Sequence, residues 1–151
     1  MIEKLTALLE GFDLTKIVPD LDTFLGRLEM TVRLAVLIGP LVLLGLGIWY
    51  YFAPPKEANH LAGFRSYISM GSVEVWRYAQ RIAGMIWGVL GAGLTVIMGL
   101  VSLIFSGKEA ITMISAGFVC VVIEAVLVLA GYIAIQMLIR KHFDREGNRL
   151  N

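Results

Sequence analysis

Two stretches of this chain, Leu34 to Phe52 and Ile82 to Ser106, contain no charged residue, and that single feature limits what the polypeptide can become. A run of roughly 20 such residues matches the hydrocarbon thickness of a bilayer. A third stretch, Ile111 to Ile139, is broken only by Glu124. Inside lipid every backbone N–H and C=O must find its partner within the segment, so each run is expected to be a helix. Composition agrees: 58% of the 151 residues are hydrophobic, 17% are charged, and the mean hydropathy is +0.77, which excludes an ordinary soluble domain.

The expected fold class is therefore an all-α membrane protein with three transmembrane helices. It carries an amphipathic N-terminal helical segment and a structured first loop. The boundaries read from the sequence are an N-terminal segment 1–33, spans 34–52, 82–106 and 111–139, a loop 53–81 that includes the start of the second helix, and a basic tail 140–151. The first apolar run lies too far into an acid-bearing chain for a cleaved signal peptide, so it is read as a retained span.

In the N-terminal segment, Ile2, Leu5, Leu8 and Leu9 recur at helical spacing. Asp20 or Asp22 can cap a second turn that gathers Leu21, Phe24, Leu25 and Leu28. Such a segment lies in the interface plane or caps the bundle. Span one carries Pro40, which can kink a helix, and ends in Trp49, Tyr50, Tyr51 and Phe52 before Pro54 and Pro55 stop it. Ser72 is a candidate N-cap for a long second helix, with Glu74 in its first turn and Trp76, Arg77, Tyr78 and Arg81 placed in the interface.

Basic residues are uneven. The first loop and the C-terminal tail hold eight of the 13 (Lys56, Arg65, Arg77, Arg81, Arg140, Lys141, Arg145, Arg149), and the N-terminal segment with Lys108 holds five. The positive-inside rule then puts loop and C-terminus in the cytoplasm and the N-terminus outside, although Arg27 and Arg33 count the other way. Clustered bases also suit acidic lipid headgroups.

Small residues repeat every four positions in the second span, as Gly84, Gly88, Ala92 and as Gly91, Thr95, Gly99. Such rows let a helix approach closely. They serve either a homo-oligomer seam or contact with span one or three of the same chain. Glu124 is the costliest residue, since a carboxylate at mid-bilayer is penalised by a few kcal/mol even on lenient scales. It should face protein. Cys120, Val128, Tyr132 and Gln136 share its helical stripe, and Thr95 lies at a matching depth in the antiparallel second span as a candidate partner. The stripe is a proton or ligand pathway, a receptor surface for an amphipathic peptide, or a hydrogen-bonded contact that fixes register.

No catalytic, cofactor-binding or metal-binding residues are expected, because HExxH, CxxC, GxSxG and P-loop patterns are missing from the sequence. Cys120 reads as a small packing residue, and His60 and His142 as solvated side chains. Nothing suggests nucleic-acid recognition.

Composition does not explain the first loop, PPKEANHLAGFRSYISMGSVEVWRYAQRIAG. Its Pro55, Asn59, Gly63, Phe64, Arg65, Ser66, Ser69, Trp76, Ala79, Gln80, Arg81 and Gly84 stand in the order of the signature of the SdpI-like family of bacterial integral membrane proteins. Over about residues 53–140 the chain resembles that family. Ser66 and Gln80 replace the threonine and asparagine more common there. The resemblance implies a non-enzymatic immunity or signalling protein of the bacterial plasma (inner) membrane. Its best-known member protects the producing cell from a secreted toxic peptide and holds a transcriptional repressor at the membrane. The partners implied are membrane lipids and a toxic peptide or another membrane protein. Without the family, Gly63 permits a turn, Phe64 inserts into the interface, Arg65 stays near phosphates or pairs with Glu74, and Trp76 anchors the second span. Rival functions are a small transporter or channel subunit with Glu124 as its titrating group, and an accessory subunit of an unidentified complex.

Overall fold

The computed structural model describes residues 21–58 and 61–150. Three helices account for most of them: α1, Leu21–Phe52; α2, Val73–Leu103; and α3, Ala110–His142. Each is long and apolar enough to cross a membrane, so the protein is a multi-pass membrane protein. No named strand occurs among the described residues, only an isolated antiparallel bridge between Phe143 and Arg149. The amphipathic helix expected before residue 20 lies outside the described residues, as do Asn59 and His60.

One boundary differs from the sequence reading. The helix that begins at Leu21 runs without interruption through residue 33 and through Pro40 into the first span. Charges on residues 22–33 hid this continuity, but Arg33 and Glu29 lie one turn apart, pair at 2.6 Å and so reduce the cost of carrying charge near the bilayer. Their partner across the bundle is the Ser106 hydroxyl, which contacts both.

The α1–α2 contact is backbone on backbone. A Cβ placed on Gly84 would lie 2.5 Å from the Tyr51 nitrogen, one on Gly47 would collide with the Gly88 backbone, and one on Gly91 with that of Leu44. Lipid supplies no hydrophobic force between helices, so close van der Waals contact must hold them, and only glycine permits it here. The row Gly84, Gly88, Gly91 is thus covered by α1 of the same chain. Ala92 and Gly93 are exposed, and nothing lies within 4 Å of a Cβ on Gly93 or Gly99.

α2 starts as its sequence requires. Ser72 Oγ accepts from the Val75 N–H at 3.3 Å, and Glu74 sits in the first turn, where the helix dipole favours an anion. A short turn after Leu103 returns the chain as α3, which is the most lipid-exposed helix. Buried residues make up 11% of its most apolar stretch, against 22% in α1 and in α2.

Loop residues 53–58 and 61–72 fold onto one end of the bundle. Gly63 takes φ 110°, which a side chain would oppose. A Cβ there would also meet the Trp76 ring at 2.7 Å. Gln80 then clamps the next residue: the Phe64 N–H donates to its Oε1 at 2.7 Å, and its Nε2 donates to the Phe64 carbonyl at 3.0 Å. The C-terminal turn reaches the same end, where the Ser72 hydroxyl donates to the Gly147 carbonyl at 3.1 Å and Arg149 approaches Glu74 at 3.8 Å.

Adding one methyl at the seam should therefore be costly. Gly84→Ala is expected to lose about 1–3 kcal/mol through overpacking, seen as a lower unfolding midpoint in detergent. Gly93→Ala should hold or raise the midpoint, and equal midpoints for the two variants would contradict the seam. Gln80→Leu strips the buried Phe64 N–H of its acceptor at a cost of about 1–3 kcal/mol. Limited proteolysis should then cut the 53–72 loop faster, whereas Arg77→Gln, at an exposed position, should leave the cleavage rate alone.

Candidate functional site: a lateral groove and an interfacial cleft

Glu124 is buried, with 6% of its surface exposed. The neighbour that admits it is Gly39 of α1: a Cβ on Gly39 would stand 2.9 Å from Glu124 Oε2. Its other oxygen, Oε1, is enclosed and has no hydrogen-bond partner among the described residues. Thr95 is not that partner. Its hydroxyl donates to the Gly91 carbonyl of its own helix at 2.7 Å, because a threonine on a helix reaches the carbonyl four residues back without leaving its surface. Matching depth in antiparallel helices does not fix rotation about the helix axis, and Glu124 turns toward α1.

Glu124 lies in a groove of about 610 Å³ between α1 and α3, bounded by Pro40, Leu43, Leu46, Val128 and Leu129. Its walls are almost wholly apolar, and several of them, Val42, Val121 and Leu129 included, are exposed on the bundle's side. A surface of this kind in a spanning segment faces lipid. Trp87 of α2 closes the back of the groove, and its indole Nε1 is also enclosed without a partner among the described residues. The sequence reading missed Trp87 and Gly39. The available signals were a tryptophan inside an apolar run, whose N–H needs a partner when buried, and a glycine directly before Pro40.

Tyr132 ends this groove and begins a second cavity, a cleft of about 910 Å³ at the loop end. The cleft is lined by Ser66, Tyr67, Gln136, Arg140 and Arg145, over Ile68 and Phe143. Gln136 Nε2 donates to the Tyr132 hydroxyl at 3.1 Å. Tyr132, Gln136 and Arg140 succeed one another at four-residue steps, so one stripe of α3 runs from the mid-membrane carboxyl to the basic end.

Most residues of the loop signature turn out to build this architecture. Phe64 is buried at 2% exposure, against Trp87 and Tyr132 at ring-centroid distances of 5.6 and 5.3 Å. Trp76 is buried too, donating from Nε1 to the Pro55 carbonyl at 2.7 Å. Both were expected in the lipid interface. The bundle claims them because the loop's polar backbone needs an apolar plug and local acceptors to fold over a helix end. Ser66 and Ser69 exchange backbone-to-hydroxyl bonds at 2.7 and 3.1 Å, and the Ser69 hydroxyl reaches the Phe64 carbonyl at 3.1 Å. Arg65 and Arg81 remain exposed. His142, expected to be solvated, is half-buried; its Nδ1 lies 2.9 Å from the Leu138 carbonyl and 3.1 Å from the Tyr78 hydroxyl.

No group of histidine, cysteine and acidic side chains able to hold a metal ion occurs among the described residues. No curated protein and no solved structure matches the chain. The SdpI/YfhL protein family matches over residues 56–137, from the start of the loop that Trp76 and Gln80 fasten to the Gln136 end of the α3 stripe. That match takes in more than half of the chain, and the protein belongs to this family.

Proposed function

We propose that the protein is a non-enzymatic component of the bacterial plasma membrane that protects the cell against, or senses, a membrane-active peptide. The observation that carries this reading is an apolar groove lined by Glu124 and Trp87, whose Oε1 and Nε1 are enclosed without a partner among the described residues. An acyl chain offers nothing to an indole N–H or a carboxyl oxygen. A membrane-inserted peptide brings amides, hydroxyls and amines, and a side-chain rotation at either residue presents its polar atom to such an occupant. Leaving the two groups unpaired costs on the order of 1–3 kcal/mol each, which a fitting ligand recovers on binding.

Membership of the SdpI/YfhL family supports the same reading. The loop and the C-terminal turn meet at one end of the bundle and hold eight of the 13 basic residues, so that end faces the cytoplasm in this proposal. Oligomeric transport through the glycine rows is less well supported, since Gly84, Gly88 and Gly91 are covered by α1.

Removing the gene should sensitise cells to at least one membrane-active peptide. The wild-type copy should restore growth, and Glu124→Leu, present in the membrane at equal abundance, should not. Glu124→Gln should retain protection, because an amide still forms the hydrogen bonds. A deletion strain with an unaltered inhibition profile across a broad peptide panel would overturn the proposal. Proton flux in liposomes that Glu124→Gln abolishes would replace it with transport.

A further inference from the structure

We propose that the cleft at the loop end binds the phosphate of an anionic glycerophospholipid. This inference does not rest on the peptide reading. Arg140 and Arg145 both line the cleft, and neither forms an ion pair with a carboxylate among the described residues. The one acid in the lining, Asp144, is already engaged. Its carboxylate accepts from the backbone N–H groups of Asn148 and Glu146 at 2.7 and 2.9 Å and from the Asn148 side chain at 3.1 Å. Those donors, the Asn148 backbone N–H foremost, hold its carboxyl below the usual range. Asp144 therefore stays ionised as the keystone of the C-terminal turn, with its oxygens committed there rather than to either guanidinium.

Depth selects a lipid headgroup. The apolar stretch of α3 ends at Ile139, so Arg140 stands at the phosphate level. Gln136 and Tyr132 lie about 6 and 12 Å further along the helix axis, toward the hydrocarbon, at 1.5 Å per residue. Ester carbonyls of a glycerolipid sit in that interval. The Tyr132 hydroxyl accepts from Gln136, which leaves its own proton to donate. The Ser66 hydroxyl likewise accepts from the Ser69 N–H and keeps a proton for an outside acceptor. Guanidinium pairs suit phosphate oxygens in two-pronged geometry. Since Tyr132 also bounds the apolar groove, one acyl chain leaving the cleft finds an apolar continuation along Leu129. A free phosphate would use the arginines and nothing beyond them.

The test uses the full chain in a neutral detergent, titrated with phosphatidylglycerol, phosphatidylcholine or inorganic phosphate, and read by thermal midpoint and by native mass spectrometry. Phosphatidylglycerol is expected to bind at least tenfold more tightly than phosphatidylcholine. The double variant Arg140→Gln, Arg145→Gln should weaken it by about tenfold or more, as loss of charge-assisted bonds implies. Lys141→Gln, which removes the same charge one residue from Arg140 but outside the cleft lining, should leave affinity unchanged. Equal weakening by Lys141→Gln would reduce the effect to general surface charge and overturn the site. Inorganic phosphate matching the lipid's shift would make it a free-phosphate site, and a tightly held peptide in the native spectrum that lipid fails to displace would make it a peptide site.

Discussion

Everything in this molecule depends on how closely α1 and α2 approach. A single added carbon on Gly47, Gly84 or Gly91 would run into the backbone of Gly88, Tyr51 or Leu44. In a solvent as apolar as the side chains, contact of this kind replaces the hydrophobic effect as the reason for two helices to stay together. The seam aligns Tyr50 beside Trp87, at a ring-centroid distance of 5.8 Å. Those rings support Phe64, whose backbone N–H and C=O Gln80 then holds. Loop order follows from helix proximity: a wider seam would move the rings apart and leave the loop nothing to close upon.

α3 obeys a different rule. Its buried positions include Met113, Gly117, Glu124, Gly131, Ile135 and Ile139, and near its C-terminal end they join the core that contains Phe64, Val75 and Phe143. Toward its N-terminal end it closes on α1, where a Cβ on Gly117 would meet Val32 and Gly39 lies against Glu124, and the groove opens between those contacts and the loop end. Attachment at both ends with a gap between them places a cleft and a groove on one stripe of one helix. The rigid pair α1–α2 supplies the wall, and α3 supplies most of the chemistry.

Much of this was legible in the sequence, and what was not has physical causes. Two charge-free runs and a third broken only by Glu124 located three spans, because burial of charge in lipid is the largest local penalty available. A helix starting near residue 21 is legible from its cap and its apolar face, but its continuity with the first span is not, because residues 22–33 carry Asp22, Arg27, Glu29 and Arg33. That pattern signals an interfacial helix when taken alone, yet it also suits a spanning helix whose end pairs Glu29 with Arg33. Phe64 and Trp76 were legible as important and misplaced in space. Hydropathy treats an aromatic ring in a headgroup belt and one under a loop alike, and only the positions of Gly63, Pro55 and Gln80 distinguish them. Tyr78 shows the same limit: nothing local announces that His142, 64 residues later, lies beside it.

The difference between the two cavities shows where selection for stability ends. In the loop, the principal polar groups are matched: Gln80 with Phe64, Ser66 with Ser69, Trp76 with Pro55. A chain able to do this within some 30 residues is not short of partners for an indole or a carboxyl. Glu124 Oε1 and Trp87 Nε1 are nonetheless enclosed without a partner among the described residues, in a groove lined otherwise by apolar side chains such as Leu43 and Val128. Leucine in place of Glu124 would fill similar space without that penalty. Gly39 sharpens the contrast, because a side chain there would meet the Glu124 carboxylate and narrow the groove. Apolar walls, an open side and enclosed polar atoms on Glu124 and Trp87, about two helical turns apart along α3, set the groove apart from the matched loop, and the proposed recognition role rests on that contrast.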